Sequence, residues 1–166
     1  MNSLTILKNI KNSFFKKKNI YYLIIILIIF LLDRYSKLQV VENLENIPYL
    51  VNNFLNIDLI WNTGIGFGFF SSQSALFYNL ITILIGLVIS ILIYFFLISK
   101  DIDKMIYSII IGGALGNFYD RFVYKAVPDF LDLHYNDFHW FIFNVADIFI
   151  TIGIVILFIN GLLKKN

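Results

Sequence analysis

Four long apolar segments dominate this chain of 166 residues and constrain its fold more than any other feature. Ala75–Ile98 is long enough by itself to cross a bilayer, because a spanning helix needs about 20 residues. Residues 20–32 and 105–115 reach that length only if each helix continues into the polar residues that follow, and Val145–Leu163 contains only three polar interruptions. The chain is 59% hydrophobic and 14% charged, whereas soluble domains average about 25% charged residues. The sequence therefore predicts an integral membrane protein.

We expect an all-α membrane protein that forms a single domain over residues 1–166, with four transmembrane helices. The predicted spans are approximately residues 20–41, 74–98, 105–122 and 145–163, with outer segments at 42–73 and 123–144. The outer segment between the first two helices alternates loosely in polarity around residues 57–61, which predicts short strands or a half-buried β-like piece. The other outer segment is polar and aromatic and contains Pro128, which predicts a loop.

The lysines give the orientation of the spans. Nine of the thirteen basic residues lie on one predicted side of the membrane, whereas residues 42–61 contain acids and no Lys or Arg. The nine are Lys8, Lys11, Lys16, Lys17, Lys18, Lys100, Lys104, Lys164 and Lys165. Because basic loops stay in the cytoplasm, both termini are predicted to be cytoplasmic. The net charge of +2 is too small to suggest nucleic acid as a partner.

The first apolar segment has an alternative interpretation. Its basic start and short apolar stretch resemble a cleaved signal peptide, but no small-residue cleavage site follows, and Asp33 and Arg34 come instead. We therefore expect a retained anchor. The chain has no cysteine, which excludes disulfides, thiolate metal sites and cysteine nucleophiles.

Polar residues gather at the predicted outer ends of the helices. A polar group inside a membrane span costs about 2.5–3.5 kcal/mol on insertion scales and by default marks function. Four separate segments place such groups at one depth, which predicts a shared site near the outer surface. The segments contribute Asp33 and Lys37, then Asn62 and Gly64, then Asn117, Asp120 and Arg121, and finally Asn144 and Asp147, with Asp129 in the segment before them.

Each cluster also has a purely structural interpretation. Asp33 and Lys37 are spaced i, i+4 and so fit an ion pair on a helix surface. Asn117, Asp120 and Arg121 share one helical face and fit a buried hydrogen-bonded network that ties helices together. Both interpretations stay open at this point.

The glycines favour packing and turns. Gly112 and Gly116 form a small-xxx-small pattern that allows a neighbouring helix to approach closely. Gly64, Gly66 and Gly68 lack the spacing of a phosphate-binding loop, so we interpret them as a tight turn.

Two carboxylates remain as candidates for chemistry. Asn144 and Asp147 have the spacing of a capping box at the start of the last helix, yet a membrane span needs no such acid, and Asp129 precedes it. Serine chemistry is disfavoured because no hydroxyl stands beside a suitably placed base. His134 and His139 lack helical metal-ligand spacing, so we predict no metal site and no cofactor.

Five motifs, taken in order, resemble those of bacterial lipoprotein signal peptidase, also called signal peptidase II. They are DRYSK at 33–37, NTGIGF at 62–67, GGALGNFYDR at 112–121, VPDF at 127–130 and FNVAD at 143–147. The resemblance covers nearly the whole chain. It implies an intramembrane aspartic endopeptidase of the cytoplasmic membrane, with its active site near the outer surface.

The resemblance also implies roles for individual residues. Asp129 and Asp147 are the expected catalytic pair, and a polar shell supports them. That shell comprises Asp33, Lys37, Asn62, Gly64, Asn117, Asp120, Arg121, Asn144 and Ala146. The implied substrates are diacylglyceryl-modified prolipoproteins, cleaved before the lipidated cysteine, and the implied surroundings are membrane lipid. Arg34, Lys37 and Arg121 are expected to help place polar groups of the lipid or peptide.

Two residues depart from the family pattern. Pro128 replaces a small aliphatic residue before Asp129, and Gly66 replaces an alanine. Asp120 is therefore the alternative for the first catalytic acid, although the neighbouring Asn117 and Arg121 suggest a structural carboxylate. We further expect Asp147, at a helix N-terminus, to be the ionised member of the pair and Asp129 to carry the proton.

Two other functions remain open from the residues alone. A membrane scaffold or assembly subunit would use the glycines for packing and the acids for structure. A small proton-coupled carrier would string its acids through the depth of the bilayer, whereas here they gather at one end.

Overall fold

A computed structural model of the chain describes residues 17–44, 49–64, 75–136 and 138–164. Helices cover most of these ranges and overlap the four predicted spans. The helices are α1 (Lys17–Asn43), α2 (Ala75–Ile98), α3 (Asp101–Val123) and α4 (Val145–Leu163). Several residues used in the sequence analysis lie outside the described ranges, namely Lys8, Lys11, Lys16, Gly66, Gly68 and Lys165.

The outer segments form one antiparallel sheet of four strands, in the order β1-β2-β3-β4. The strands are β1 (Tyr49–Asn52), β2 (Leu55–Asn62), β3 (Val127–Tyr135) and β4 (Phe138–Phe143). Strands between the first two helices confirm the β-like prediction. The loop predicted for residues 123–144 is wrong, and so is the all-α class, because this segment supplies half of the sheet.

Pro128 is the reason why a loop was predicted for residues 123–144. It is the second residue of β3 and lies opposite Trp61 of β2. Proline is tolerated at the beginning of a strand because only one ladder hydrogen bond is lost there. The residues after it then pair with β2 on one side and β4 on the other.

Helix α3 lies at the centre of the helical part and packs against the other three helices. Its glycines make this possible. A Cβ atom on Gly112 would lie 2.9 Å from Cβ of Ile29 in α1, and one on Gly113 would lie 2.6 Å from the carbonyl oxygen of Ala146 in α4. The same approach brings Gly116 against the carboxylate of Asp33. The predicted packing role of Gly112 and Gly116 is confirmed.

Apolar side chains cover much of the outer surface of the helices. Among the described helices, α2 and α4 are long and apolar enough to cross a membrane by length and composition, and most of their apolar stretch is exposed. Helix α1 likewise exposes Ile24, Leu27 and Leu31. Apolar patches of this extent mark a surface that contacts lipid or another protein.

Candidate active site

Asp129 and Asp147 come together through Asn144. The Asn144 amide donates from Nδ2 to Asp129 Oδ1 at 2.6 Å, while its Oδ1 accepts from the Asp147 backbone N–H at 3.1 Å. Asp147 Oδ2 in turn accepts from the Asn144 N–H at 3.2 Å. The predicted capping box at the start of α4 is therefore confirmed. The asparagine that caps the helix also joins the two acids.

Asp129 is only 2% exposed, near the start of β3. Burial, as the larger cause, and the neighbouring charge of Asp147 together raise its pKa to about 6. Hydrogen bonds from Asn62 and Asn144 act against this shift, because they favour the ionised carboxylate. Asp129 thus retains its proton to a much higher pH than an exposed aspartate.

Asn62, the last residue of β2, holds the other oxygen of Asp129. Its Nδ2 donates to Asp129 Oδ2 at 2.8 Å, and its Oδ1 accepts from the Gly64 N–H at 2.8 Å. A side-chain oxygen that bonds the backbone two residues ahead is an Asx turn, which fixes the amide orientation. The predicted turn is thus present at Gly64.

Asn117 of α3 approaches Asp147 from the opposite side. Its Nδ2 donates to Asp147 Oδ1 at 2.8 Å, and its Oδ1 accepts from Lys37 Nζ at 2.8 Å. Lys37 also donates to Asp33 at 2.8 Å and to Asp120 at 2.7 Å, so its three N–H groups are all used. A buried positive charge therefore reaches Asp147 through one amide.

Asp33 links this cluster to the start of α4. One carboxylate oxygen binds Lys37, and the other accepts from the Ala146 N–H at 2.9 Å. Both Asp33 and Lys37 are 0% exposed. The simple interpretation of a surface ion pair is therefore wrong, and so is the expectation that Lys37 helps place lipid or peptide groups.

Asp120 is fully buried between two cations of α1. Lys37 binds one of its oxygens, and Arg34 binds the other and also donates to the Tyr124 hydroxyl at 3.2 Å. A structural carboxylate was expected from the neighbouring Arg121, but the partners come from α1 instead. Arg34 was not predicted to belong to this network. The only sequence signal for it was a second charge beside Asp33 at the end of an apolar segment.

Arg121 turns away from Asp120 and toward β2. It donates through Nη2 to the Gly64 carbonyl oxygen, and the Tyr78 hydroxyl donates to the Arg121 carbonyl oxygen at 2.8 Å. The Arg121 guanidinium lies close enough to Asp129 and Asp147 for electrostatic interaction with both carboxyl groups. Within the described part of the chain, its buried Nε and Nη1 find no acceptor. Two N–H donors are therefore available beside the acids.

The two histidines lie on the sheet. His139 of β4 bonds Asp132 of β3 through Nδ1 at 2.7 Å, and the rings of His134 and His139 stack with centroids 5.4 Å apart. In the residues that the structure describes, no group of three or more His, Asp or Glu has the arrangement of a metal site.

An apolar pocket of about 260 Å³ adjoins Asp147 between the sheet and α4. The sheet contributes aromatic and aliphatic side chains, and α4 contributes the opposite wall. The lining residues are Leu133, Phe141, Phe143, Asp147, Ile148, Thr151 and Ile152. An acid at the edge of an apolar pocket suits a substrate that combines a polar reacting bond with an apolar group.

Comparison with known families identifies the family that has this arrangement of residues. The model of the family described as signal peptidase (SPase) II matches residues 25–163, which cover all the site residues above. The chain belongs to the signal peptidase II family. It is therefore a peptidase of a membrane-enzyme family.

Its relatives agree with this assignment. A lipoprotein signal peptidase of Pelagibacter ubique (strain HTCC1062) is 50% identical over 141 residues, which cover 83% of this chain and 85% of the relative. Another, from Polynucleobacter necessarius subsp. necessarius (strain STIR1), is 42% identical over 142 residues, 83% of this chain and 86% of the relative.

Two solved structures share the fold of this chain. Both are described as bacterial membrane enzymes obtained by the in meso method, one at 2.3 Å and one at 1.9 Å resolution. The first is 33% identical with a TM-score of 0.71 and covers 87% of this chain and 88% of that chain. The second is 31% identical with a TM-score of 0.70 and covers 88% and 94%.

Proposed function

We propose that this protein is an intramembrane aspartic endopeptidase that removes the signal peptide from diacylglyceryl-modified prolipoproteins, cleaving before the lipidated cysteine. One observation carries the aspartic assignment. Asn144 joins Asp129 to Asp147, and the environments of the two acids differ. Two nearby carboxylates that share one proton form the acid and base of this reaction class.

Asp147 is the base. Its carboxylate accepts N–H donors from Asn117 and from the Asn144 backbone at the N-terminus of α4, and such donors favour the ionised form. Asp129 is the acid, because it lies near the start of a strand and lacks the helix N-terminus that favours an ionised Asp147. The titration belongs to the pair as a whole.

The reaction follows from these roles. Asp147 takes a proton from water as the water oxygen bonds to the scissile carbonyl carbon, while Asp129 donates its proton to the carbonyl oxygen. The tetrahedral intermediate then collapses, and the C–N bond breaks. Asp147 gives its proton to the departing amine, and the hydroxyl proton returns to Asp129.

The lining of the site supports a lipid-modified substrate. The pocket beside Asp147 presents apolar walls from Phe143 and Ile148 among others, which suit an acyl chain. Arg121 supplies buried N–H donors for an ester or peptide carbonyl oxygen. The reacting bond then sits at the polar acids while the lipid stays in an apolar environment.

The topology we propose has four spans, both termini in the cytoplasm and the acids near the outer surface. Helix α1 has 27 residues and α3 has 23, so at about 1.5 Å per residue each is long enough to cross the hydrocarbon core. The positions of the basic residues set the direction.

The absence of cysteine makes this topology easy to test. Lys125 follows the outer end of α3, and Lys100 precedes its inner end. In intact cells, a membrane-impermeant maleimide is expected to label Lys125→Cys and to spare Lys100→Cys until the membrane is opened. The reverse pattern would overturn the orientation.

A membrane scaffold and a proton carrier are the alternatives. A scaffold gives no reason for Asp129 to be buried with a pKa of about 6 beside a second acid. A carrier needs acids through the depth of the bilayer, whereas Asp33, Asp120, Asp129 and Asp147 belong to one contiguous hydrogen-bonded network. The peptidase accounts for both features.

The deciding assay uses purified protein and a diacylglyceryl-modified prolipoprotein peptide. Asp129→Asn and Asp147→Asn are expected to lose cleavage by at least about a thousandfold, because acid–base catalysis alone contributes about 10²–10⁴. EDTA is expected to have no effect. Near-normal cleavage by Asp147→Asn together with loss in Asp120→Asn would show that the pair is misassigned, and loss of activity in EDTA would contradict the aspartic mechanism.

A further inference from the structure

Arg34 lies at the edge of the buried cluster formed by Asp33, Lys37 and Asp120, and its guanidinium makes hydrogen bonds in two directions. Its side chain is 11% exposed, and one terminal nitrogen binds Asp120 while the other donates to the Tyr124 hydroxyl at 3.2 Å. Its guanidinium also stacks over the Tyr119 ring, 4.7 Å from the ring centre. The planar guanidinium makes these two bonds through separate nitrogens on different edges, whereas a lysine ammonium presents all its donors from one atom.

The bond from Arg34 to Asp120, the first arm of this side chain, balances the charge beside the proposed catalytic pair. Asp33 and Asp120 carry two negative charges, and Lys37 and Arg34 carry two positive charges, all in buried or nearly buried positions. Without Arg34, one negative charge would remain uncompensated. Lys37 would then be drawn toward Asp120 and away from Asn117, the residue that donates to Asp147.

The bond to Tyr124, the second arm of Arg34, leads toward β2, the strand that carries Asn62. Tyr124 packs edge-on against Trp61, with ring centroids 5.4 Å apart. Trp61 precedes Asn62, which donates to Asp129. Two intervening residues therefore connect Arg34 to the donor of each acid. Asp120 and Lys37 lead to Asn117, and Tyr124 and Trp61 lead to Asn62.

We propose that Arg34 is a positioning residue for the aspartate pair, acting on Asp147 through Asp120 and Lys37 and on Asp129 through Tyr124 and Trp61. The inference rests on the proposed function. The ionisable groups facing Arg34 and the cluster are Asp33 and Lys37 of α1, Tyr78 of α2, Tyr119, Asp120 and Arg121 of α3, Tyr124 after it, Asp129 of β3 and Asp147 of α4.

The test measures kcat and KM against pH on the full-length protein with the lipid-modified peptide. Arg34→Gln is expected to lower kcat/KM at least tenfold, mainly in kcat, and to move its pH profile upward by about one pH unit, because an added net negative charge favours protonated acids. Asp120→Asn moves the profile downward. The double variant Arg34→Gln/Asp120→Asn restores the charge balance and returns the profile to its original position. The matched control is Lys100→Gln, which removes an exposed charge at the far end of α3 and is expected to change neither quantity.

Arg34→Lys separates the two arms. It keeps the charge, so the pH profile stays in place, but it loses the bond to Tyr124, so kcat falls. A merely structural role would instead lower the amount of folded enzyme, measured by thermal unfolding, and reduce the rate equally at every pH. If Arg34→Gln does not fold, the charge-balanced double variant against Asp120→Asn still tests the shift.

The proposal is overturned if the profile of Arg34→Gln does not move, or if the double variant moves as far as the single one. Wild-type cleavage by Asp129→Asn and Asp147→Asn would instead defeat the proposed function. Inactive aspartate variants together with an unaffected Arg34→Gln would overturn this inference alone.

Discussion

Replacing Asn62 by leucine removes the amide that donates to Asp129 Oδ2 at 2.8 Å. The pKa of Asp129 is already raised to about 6 by burial and by the charge of Asp147, and the Asn62 bond holds it down. Without that donor the ionised carboxylate loses part of its stabilisation. The pKa of Asp129 therefore rises further.

The size of the rise follows from the strength of the bond. A hydrogen bond to a charged group contributes about 1.5–3 kcal/mol, and about 1.36 kcal/mol corresponds to one pKa unit. The loss therefore raises the pKa of Asp129 by about one to two units, to roughly pH 7–8. Because Asp129 is 2% exposed, solvent screens little of this effect.

The alkaline limb of kcat/KM reports this value, since the proposed mechanism requires the proton on Asp129. In the wild type the limb is expected near pH 6, and in Asn62→Leu it moves up by one to two units. The maximal rate falls as well, because Asp129 is held less firmly.

A pH series of initial cleavage rates from about pH 4.5 to 9 checks the shift. The matched control is Asn56→Leu, which removes a buried asparagine of the same strand whose side chain lies 3.5 Å from Asp132 rather than from the pair. A limb that stays in place or moves down in Asn62→Leu would refute the reasoning, and so would an equal shift in Asn56→Leu.

Three further predictions follow from the same contacts. Folding raises the pKa of Asp129 from 3.8 to about 6, so its carboxyl stabilises the fold below pH 4 and loses that contribution as the pH rises through 6. Between pH 4 and 7 the free energy of unfolding of the wild type should therefore fall by about 3 kcal/mol relative to that of Asp129→Asn. Parallel pH series of thermal unfolding check this, and equal slopes for the two proteins would contradict it. Gly116→Ala forces a Cβ against the Asp33 carboxylate and should cost about 1–3 kcal/mol and most of the activity, whereas Gly161→Ala, in open space, should leave the unfolding midpoint and the rate unchanged. Arg121→Gln removes buried donors and should raise KM at least tenfold; an unchanged KM would place the substrate carbonyl elsewhere.

The helices and the acids were predictable from local sequence. A stretch such as Ala75–Ile98 has one stable solution in a membrane, because a helix satisfies its own backbone hydrogen bonds. Asn144 and Asp147 likewise show their capping box at three-residue spacing. Each of these inferences depends on residues that are neighbours in sequence.

The second half of the sheet was not predictable in the same way. Pro128 is a strong local signal against a strand, and only the pairing of β3 with β2, which lies more than 60 residues earlier, explains why it is tolerated there. The sheet matters to the site, because β3 carries Asp129 and β2 carries Asn62. A loop in this place would give neither residue a fixed position.

The partners of the buried charges also escaped prediction. Lys37 was paired with Asp33 because the two are four residues apart, but it binds Asn117 and Asp120 as well, some 80 residues away. Asp120 was expected to be a structural carboxylate because Asn117 and Arg121 lie beside it in sequence, whereas Arg34 and Lys37 bind it. Helical spacing shows which side chains share a face and leaves open which helix that face meets.

Three asparagines share one arrangement around Asp129 and Asp147, the proposed catalytic pair. Asn62, Asn117 and Asn144 each present the NH₂ group to an aspartate and receive a donor on the amide oxygen, from the Gly64 N–H, Lys37 and the Asp147 N–H in turn. The donor on the oxygen fixes which end of the amide faces the acid. An aspartate in the same position would keep the acceptor, lose the donor and add a negative charge, so asparagine is the side chain that stabilises an ionised acid here without adding charge. Because the amides are neutral, the pair can exchange its proton during catalysis while the surrounding charges stay balanced, which is the condition that a reversible acid–base pair needs in a buried site.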